Sequence, residues 1–149
     1  MEGINDLLRD LRFASESSDV ERIVRALIVT ARTDMKAVVE LAVEKVKTSQ
    51  FDGSKWSSLA LTMLEVFKDS EEPGEILRAL VEIDQDNGAY LNNFGIFMQV
   101  RGRIGEAIEY YARAYATDYK HHGHEKATSF PAWTNLHRIA LGIVSKPAR

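Results

Sequence analysis

Apolar residues return with helical spacing in every long segment of the chain. Ile4, Leu7, Leu8 and Leu11 stand at positions i, i+3, i+4 and i+7, which places them on one face of a helix. The same spacing recurs within residues 20–31, 35–46, 56–67, 76–83, 89–101, 104–117 and 133–143. No segment alternates apolar and polar residues as a strand would. The pattern predicts an all-α fold of about eight helices.

Capping and helix-breaking residues stand at the ends of these segments. Ser17-Ser18-Asp19 and Thr33-Asp34 supply N-caps for two helices. Pro73 and Pro131 suit the first turn of a helix, where a missing N–H has no partner to lose. Phe51-Asp52-Gly53-Ser54 is predicted to be a turn that leads into the next helix. Most connections are two to six residues long, and we therefore expect consecutive helices to pack as antiparallel hairpins.

One segment, Gly88 to Asp118, resembles a tetratricopeptide repeat (TPR). This family's repeat of 34 residues has a large residue, a Leu-Gly pair, and then a small, an aromatic and a second small residue on its second helix. The matching residues here are Leu91, Phe94-Gly95, Ala107, Tyr111 and Ala114. The resemblance implies that Gly95 and Ala107 lie where the two helices cross, with Tyr111 beside the crossing.

The resemblance extends less regularly to the neighbouring segments, and it implies a right-handed α-solenoid of helix hairpins. On this interpretation residues 1–149 form a single TPR-like domain. Its parts are an N-terminal helix and turn (3–18), a divergent helix pair (19–53), an irregular repeat (54–87), the clear repeat (88–121), and a basic insert with a capping helix (122–149). Trp56 and Trp133 occupy positions where the repeat has a large residue, and we expect both to pack in the core.

The resemblance also predicts a binding groove. First helices of successive repeats line the concave face in this family, and the corresponding residues are Ala89, Asn92, Ile96, Gln99, Thr134 and Arg138. Asn93 matches an asparagine that grips a peptide's terminal carboxylate in chaperone-binding members. The cations of that clamp are missing, because Pro131 and Asn135 stand where they should be, so we do not expect carboxylate binding.

An insertion follows the clear repeat. Trp133 comes 42 residues after Leu91 instead of 34, which leaves about eight extra residues within 119–130. Inserted loops often carry contacts, and His121, His122, His124 and Lys126 are the predicted partner-binding residues. Imidazole also suits zinc, copper or nickel. A closed zinc site needs a fourth ligand, for which only Glu125 and His137 are near, so we predict no metal and no cofactor.

Composition excludes several other classes of protein. The chain has no cysteine, no apolar run long enough to cross a membrane and no secretory leader pattern, which together predict a cytoplasmic protein without membrane contact. It has no phosphate-binding glycine loop, no cysteine nucleophile and no Gly-x-Ser-x-Gly motif, and we expect no enzyme activity.

Charge is distributed unevenly along the chain. Residues 120–149 carry a net charge of +4, whereas the other residues carry −7. We expect a protein–protein interaction module (an adaptor, assembly factor or small chaperone) that holds a peptide or helix in its groove. The alternatives are a structural subunit of a homo-oligomer or larger complex, and a nucleic-acid-associated role of the basic C-terminal part. Nucleic acid is the less favoured partner because the overall charge is −3.

Overall fold

A computed structural model describes residues 3–48, 53–143 and 147–149, and these residues form helices without any strand. The helices are α1 (Ile4–Phe13), α2 (Ser17–Thr48), α3 (Ser54–Val66), α4 (Pro73–Ile83), α5 (Gly88–Val100), α6 (Ile104–His122), α7 (His124–Ala127) and α8 (Pro131–Ala140). The all-α prediction is thus confirmed over the described residues. Phe51 and Asp52 of the predicted turn, and Lys146 of the basic C-terminal part, lie outside them.

Helix α2 consists of two helical segments joined at Asp34. The backbone of Asp34 leaves the helical region, with φ −148° and ψ 68°, and its side-chain Oδ1 accepts a hydrogen bond from the Ala37 N–H at 3.2 Å. This is the geometry of an N-cap, in which a carboxylate satisfies an otherwise unpaired amide of the first turn. The helix boundary predicted at Thr33-Asp34 is confirmed.

The chain divides into two compact units, Met1–Leu80 and Val81–Arg149, with the boundary inside α4. In the first unit α1 packs against α2, and α2 packs against α3. The apolar stripes predicted from the spacing supply its buried residues, with Leu8, Leu11, Leu27 and Val38 fully buried. Trp56 on α3 is 2% exposed, so its predicted place in the core is confirmed.

In the second unit α5 packs along α6, and α8 packs against both of them. The crossing of α5 and α6 depends on Gly95, since a Cβ atom there would lie 2.6 Å from the ring of Tyr111. Ala107, Tyr111 and Ala114 are fully buried on α6. The hydroxyl of Tyr111 donates a buried hydrogen bond to Gln99 Oε1 at 2.8 Å.

Helices α5 and α8 end in the same way. Gly102 and Gly142 both have φ of +78°. In each case the amide after the glycine reaches back to a carbonyl of the last turn: Arg103 N–H to Met98 O, and Ile143 N–H to Arg138 O. This is a Schellman motif, which reverses the chain direction at a helix end.

The C-terminal part of the second unit differs from the sequence prediction in two ways. Helix α6 continues to His122, so the predicted insertion begins as about one further turn of helix and not as a loop. On α8 the buried residues are Ala132 and Asn135. The apolar stripe predicted to face inward is wrong at its end, because Ala140 and Ile143 are exposed while Trp133, Leu136 and Ile139 are half-buried.

Candidate functional site

Two asparagine side chains of the second unit hold the backbone of Ala148. Asn135 Oδ1 accepts a hydrogen bond from the Ala148 N–H at 2.6 Å, and Asn135 Nδ2 donates to the Ala148 carbonyl at 2.6 Å. Asn92 Nδ2 donates to the same carbonyl at 3.1 Å. Asn135 Nδ2 also donates to Asn92 Oδ1 at 2.9 Å, which fixes the two amides relative to each other.

This arrangement satisfies both polar groups of one residue's backbone. A side-chain amide carries a donor and an acceptor, and one asparagine can therefore complement both an N–H and a C=O. Asn92 and Asn135 are 3% and 1% exposed, so each would leave costly unpaired groups without such partners. Residues 147–149 are non-helical and lie across α5 and α8 at this point.

A cavity of about 370 Å³ adjoins the asparagine pair. Its lining includes Asn92, Asp86, Asp118, His121, His122 and Arg149. The floor is close-packed where α5 begins, because a Cβ on Gly88 would lie 2.2 Å from Asp118 Oδ1. A cavity of this size is large enough to receive a side chain or a small ligand.

The two carboxylates of the cavity are in different electrostatic states. Asp86 bonds His121 Nε2 at 2.8 Å and Lys120 Nζ at 3.3 Å. The hydrogen bonds from His121 and Lys120 hold the pKa of Asp86 below its usual range. Burial raises the pKa of Asp118, and the nearby His122 and His121 only partly oppose this. Within the described part of the chain Asp118 forms no ion pair.

The residues predicted to line the groove lie in different environments, some exposed and some buried. Asn92 contacts the 147–149 segment, and Ala89 is exposed and lines the cavity. Ile96 and Gln99 are buried at 5% and 7% exposure. Thr134 is exposed and Arg138 is half-buried on α8. Gln99, which the resemblance places in the groove, accepts a hydrogen bond from the Tyr111 hydroxyl inside the helix pair.

The predicted residues of the insertion are exposed and lie near two different sets of partners. His121 and His122 border the cavity, and the ring of His122 lies 5.1 Å from that of Phe130. His124 Nδ1 is 2.9 Å from the Tyr115 hydroxyl, next to the contact between Tyr115 and Trp133. Lys126 is exposed on α7. Over residues 3–48, 53–143 and 147–149, no three His, Asp or Glu side chains are grouped so that they could hold a metal ion.

Sequence reasoning missed three elements of this site. The sequence identifies Asn135 only as a position that lacks a cation, and its motifs do not point to Asp118 or Ala148. The signal for Asn135 was a polar residue on the inner face of a helix with an otherwise apolar stripe. Ala148 carries no signal of its own, since its role comes from contacts with Asn135 and Asn92, which are 13 and 56 positions away in the sequence.

Comparisons with known proteins give no relative from which to transfer a function. No protein-family model matches the sequence, and searches of curated proteins and of solved structures find no significant match. Among the described residues, no helix combines the length and the apolar character required to span a membrane.

Proposed function

We propose that residues 81–149 form a TPR-like, non-enzymatic module that binds an extended segment of a partner protein. The helix arrangement supports the TPR-like part of the proposal. Gly95 meets Tyr111 where α5 and α6 cross, and α8 packs against both helices, as the first helix of a following repeat would. A right-handed solenoid that includes the earlier helices is part of the same proposal.

The backbone contacts of Ala148 carry the proposal of peptide binding. A non-helical segment lies on α5 and α8, and its peptide groups are bonded by Asn92 and Asn135. Main-chain hydrogen bonds of this kind give affinity for an extended segment independently of its sequence. The site therefore has the chemistry needed to hold a polypeptide.

The same contacts favour an internal segment over a terminal carboxylate. Asn135 stands at a position where chaperone-binding TPR proteins have a cation. Its Oδ1 accepts a hydrogen bond from a backbone N–H. A terminal carboxylate would take the place of the Ala148 carbonyl, where it would meet two neutral amide groups and no cation to balance its charge. We infer that the partner presents peptide groups, as expected for an adaptor, assembly factor or small chaperone in the cytoplasm.

Selection from a display library of random peptides tests this function. Immobilised full-length protein should enrich peptides that compete for the groove. Asn135→Ala should lose their binding by at least about tenfold, the loss that corresponds to one or two hydrogen bonds. Asn5→Ala, which removes an exposed amide of the first unit, is the matched control. Peptides that bind Asn135→Ala as well as the unchanged protein would contradict a site at Asn135.

Exposed apolar groups on α8 and just after it support a second candidate, a structural subunit. Leu141 is 70% exposed and Ile143 is 44% exposed, and Trp133 and Ile139 are only half-buried. Exposed apolar surface of this kind marks interfaces. Light scattering would detect a dimer whose molar mass stays the same over a wide concentration range. Leu141→Ser should convert that dimer to a monomer if α8 forms the interface.

A further inference from the structure

We propose that the asparagine pair and the adjoining cavity recognise an extended segment in which a small residue is followed by a basic one, and that residues 147–149, whose Ala148 fills the backbone position, are the protein's own copy of that ligand. The proposal rests on the proposed function and specifies the ligand. It assigns two positions: a backbone position held by Asn92 and Asn135, and a side-chain position in the adjoining cavity that contains Asp118.

The small residue is inferred from the position of Ala148. Its N–H and carbonyl are both bonded by amides that are themselves buried, and Asn135 and Asn92 approach it from two packed helices. Bonds this short, at 2.6 Å to Asn135, require the backbone to approach the helices closely. An alanine allows that approach.

The basic residue is inferred from what surrounds the next position. Arg149 borders the same cavity as Asp118 and Asp86. Asp86 is already bonded by His121 and Lys120, whereas the described residues provide no ion pair for Asp118. A guanidinium or ammonium group in this cavity would give the partly buried Asp118 carboxylate the opposite charge that offsets its burial.

The segment follows α8 closely in the sequence. The Schellman motif at Gly142 ends α8 and turns the chain back, with Ile143 N–H bonded to Arg138 O at 2.7 Å. Residues 147–149 then lie beside Asn135, a residue of the same helix. A segment tethered this closely has an effective concentration on the order of millimolar, and a partner must exceed it to bind.

The test measures binding of a probe peptide to full-length variants. The probe is Ser-Lys-Pro-Ala-Arg, labelled at its blocked N-terminus and amidated at its C-terminus so that terminal charges play no part. Ala148→Pro in the protein removes the N–H that donates to Asn135 Oδ1, and so weakens the binding of the protein's own segment to the site. Ala148→Ser keeps the N–H and is the matched control. Fluorescence anisotropy gives the Kd for each protein.

We expect Ala148→Pro to bind the probe at least about tenfold more tightly than Ala148→Ser, because the competing segment no longer fills the groove. Adding Asn135→Ala to Ala148→Pro should abolish the gain. Adding Asp118→Asn to Ala148→Pro should weaken binding of this probe. It should leave unchanged the affinity for a second probe in which norleucine replaces arginine. This double comparison separates the contact with the basic side chain from a general loss of structure.

Equal affinities for Ala148→Pro and Ala148→Ser would overturn the proposal, as would two probes that respond alike to Asp118→Asn. If Ala148→Ser formed a concentration-dependent dimer and Ala148→Pro remained a monomer, the segment would belong to a second copy of the chain, which also overturns it. The proposed function would survive any of these results if library peptides of other sequence still required Asn135. Failure of the proposed function and failure of the ligand assignment therefore give different results.

Discussion

Tyr111 connects the packing of the second unit with its hydrogen bonding. Its ring fills the space left by the missing side chain of Gly95, and its hydroxyl donates to Gln99 on the same helix as that glycine. Burial raises the pKa of Tyr111 well above its usual range, so the hydroxyl keeps its proton and remains a donor. One residue thus fixes both the distance and the register of α5 against α6.

Gly95→Ala should therefore destabilise the protein. The added methyl group would lie 2.6 Å from a ring atom of a fully buried tyrosine, and overpacking of this kind costs about 1–3 kcal/mol. Urea unfolding measures the change. Gly105→Ala is the control, since nothing lies within 4 Å of its Cβ and alanine favours a helix. A Gly95→Ala protein as stable as Gly105→Ala would contradict this description of the crossing.

Asp118 should make stability depend on pH in a defined direction. Because burial raises its pKa, the folded protein keeps a proton that the unfolded chain has released, so the free energy of unfolding falls as pH rises from the usual aspartate value through the raised one. Asp118→Asn does not titrate. We expect its stability relative to the unchanged protein to be greater at pH 7 than at pH 4.

Urea unfolding of both proteins at the two pH values gives the comparison. Asp69→Asn, which changes an exposed aspartate of the first unit, is the control for general effects of charge. A difference between Asp118→Asn and the unchanged protein that is the same at pH 4 and pH 7 would contradict a buried, titrating Asp118.

At the scale of helices, Asp34 separates two segments that would otherwise continue as one. Asp34→Ala should lose the side-chain bond to the Ala37 N–H and reduce stability by about 1 kcal/mol, the usual value of an N-cap. Asp34→Asn keeps an acceptor oxygen and should be close to neutral. Thermal unfolding followed by circular dichroism measures both, and equal Tm values for Asp34→Ala and Asp34→Asn would show that the cap contributes nothing.

The helices that sequence predicts well are those whose ends carry local signals. Asp34, Pro73 and Pro131 each stand where a helix starts, because capping and the proline ring act within one turn. The sequence does not predict the end of α6, since its last turn enters the segment whose His122 and His124 contact Phe130 and Tyr115. Such contacts depend on tertiary structure.

The candidate site was only partly predictable for a related reason. Asn92 followed from the repeat resemblance, which orders residues along one helix. Asn135 and Asp118 acquire their roles from the position of the 147–149 segment beside them, and that position is a matter of tertiary structure. Helical spacing also misplaced the inner face of α8, because a buried asparagine replaces an apolar residue there.

At the scale of the whole molecule, charge is the property that bears on the proposed ligand. The net charge of −3 combines −7 over residues 1–119 with +4 over residues 120–149. A basic segment approaches a molecule whose overall charge has the opposite sign, and this attraction raises the association rate. The cavity carboxylates then act over a short distance, where salt screens them less.

Binding of the basic probe to Ala148→Pro should therefore weaken as salt is raised, and mainly through association. Stopped-flow measurements from about 0.02 to 0.5 M salt, a range over which the screening length falls several-fold, should show a slower association rate and a smaller change in dissociation. The norleucine probe retains the lysine of the basic one, so it should show a reduced but measurable salt dependence. If the two probes had the same dependence, the arginine position would contribute no charge interaction, and the assignment of that position to the Asp118 cavity would fail.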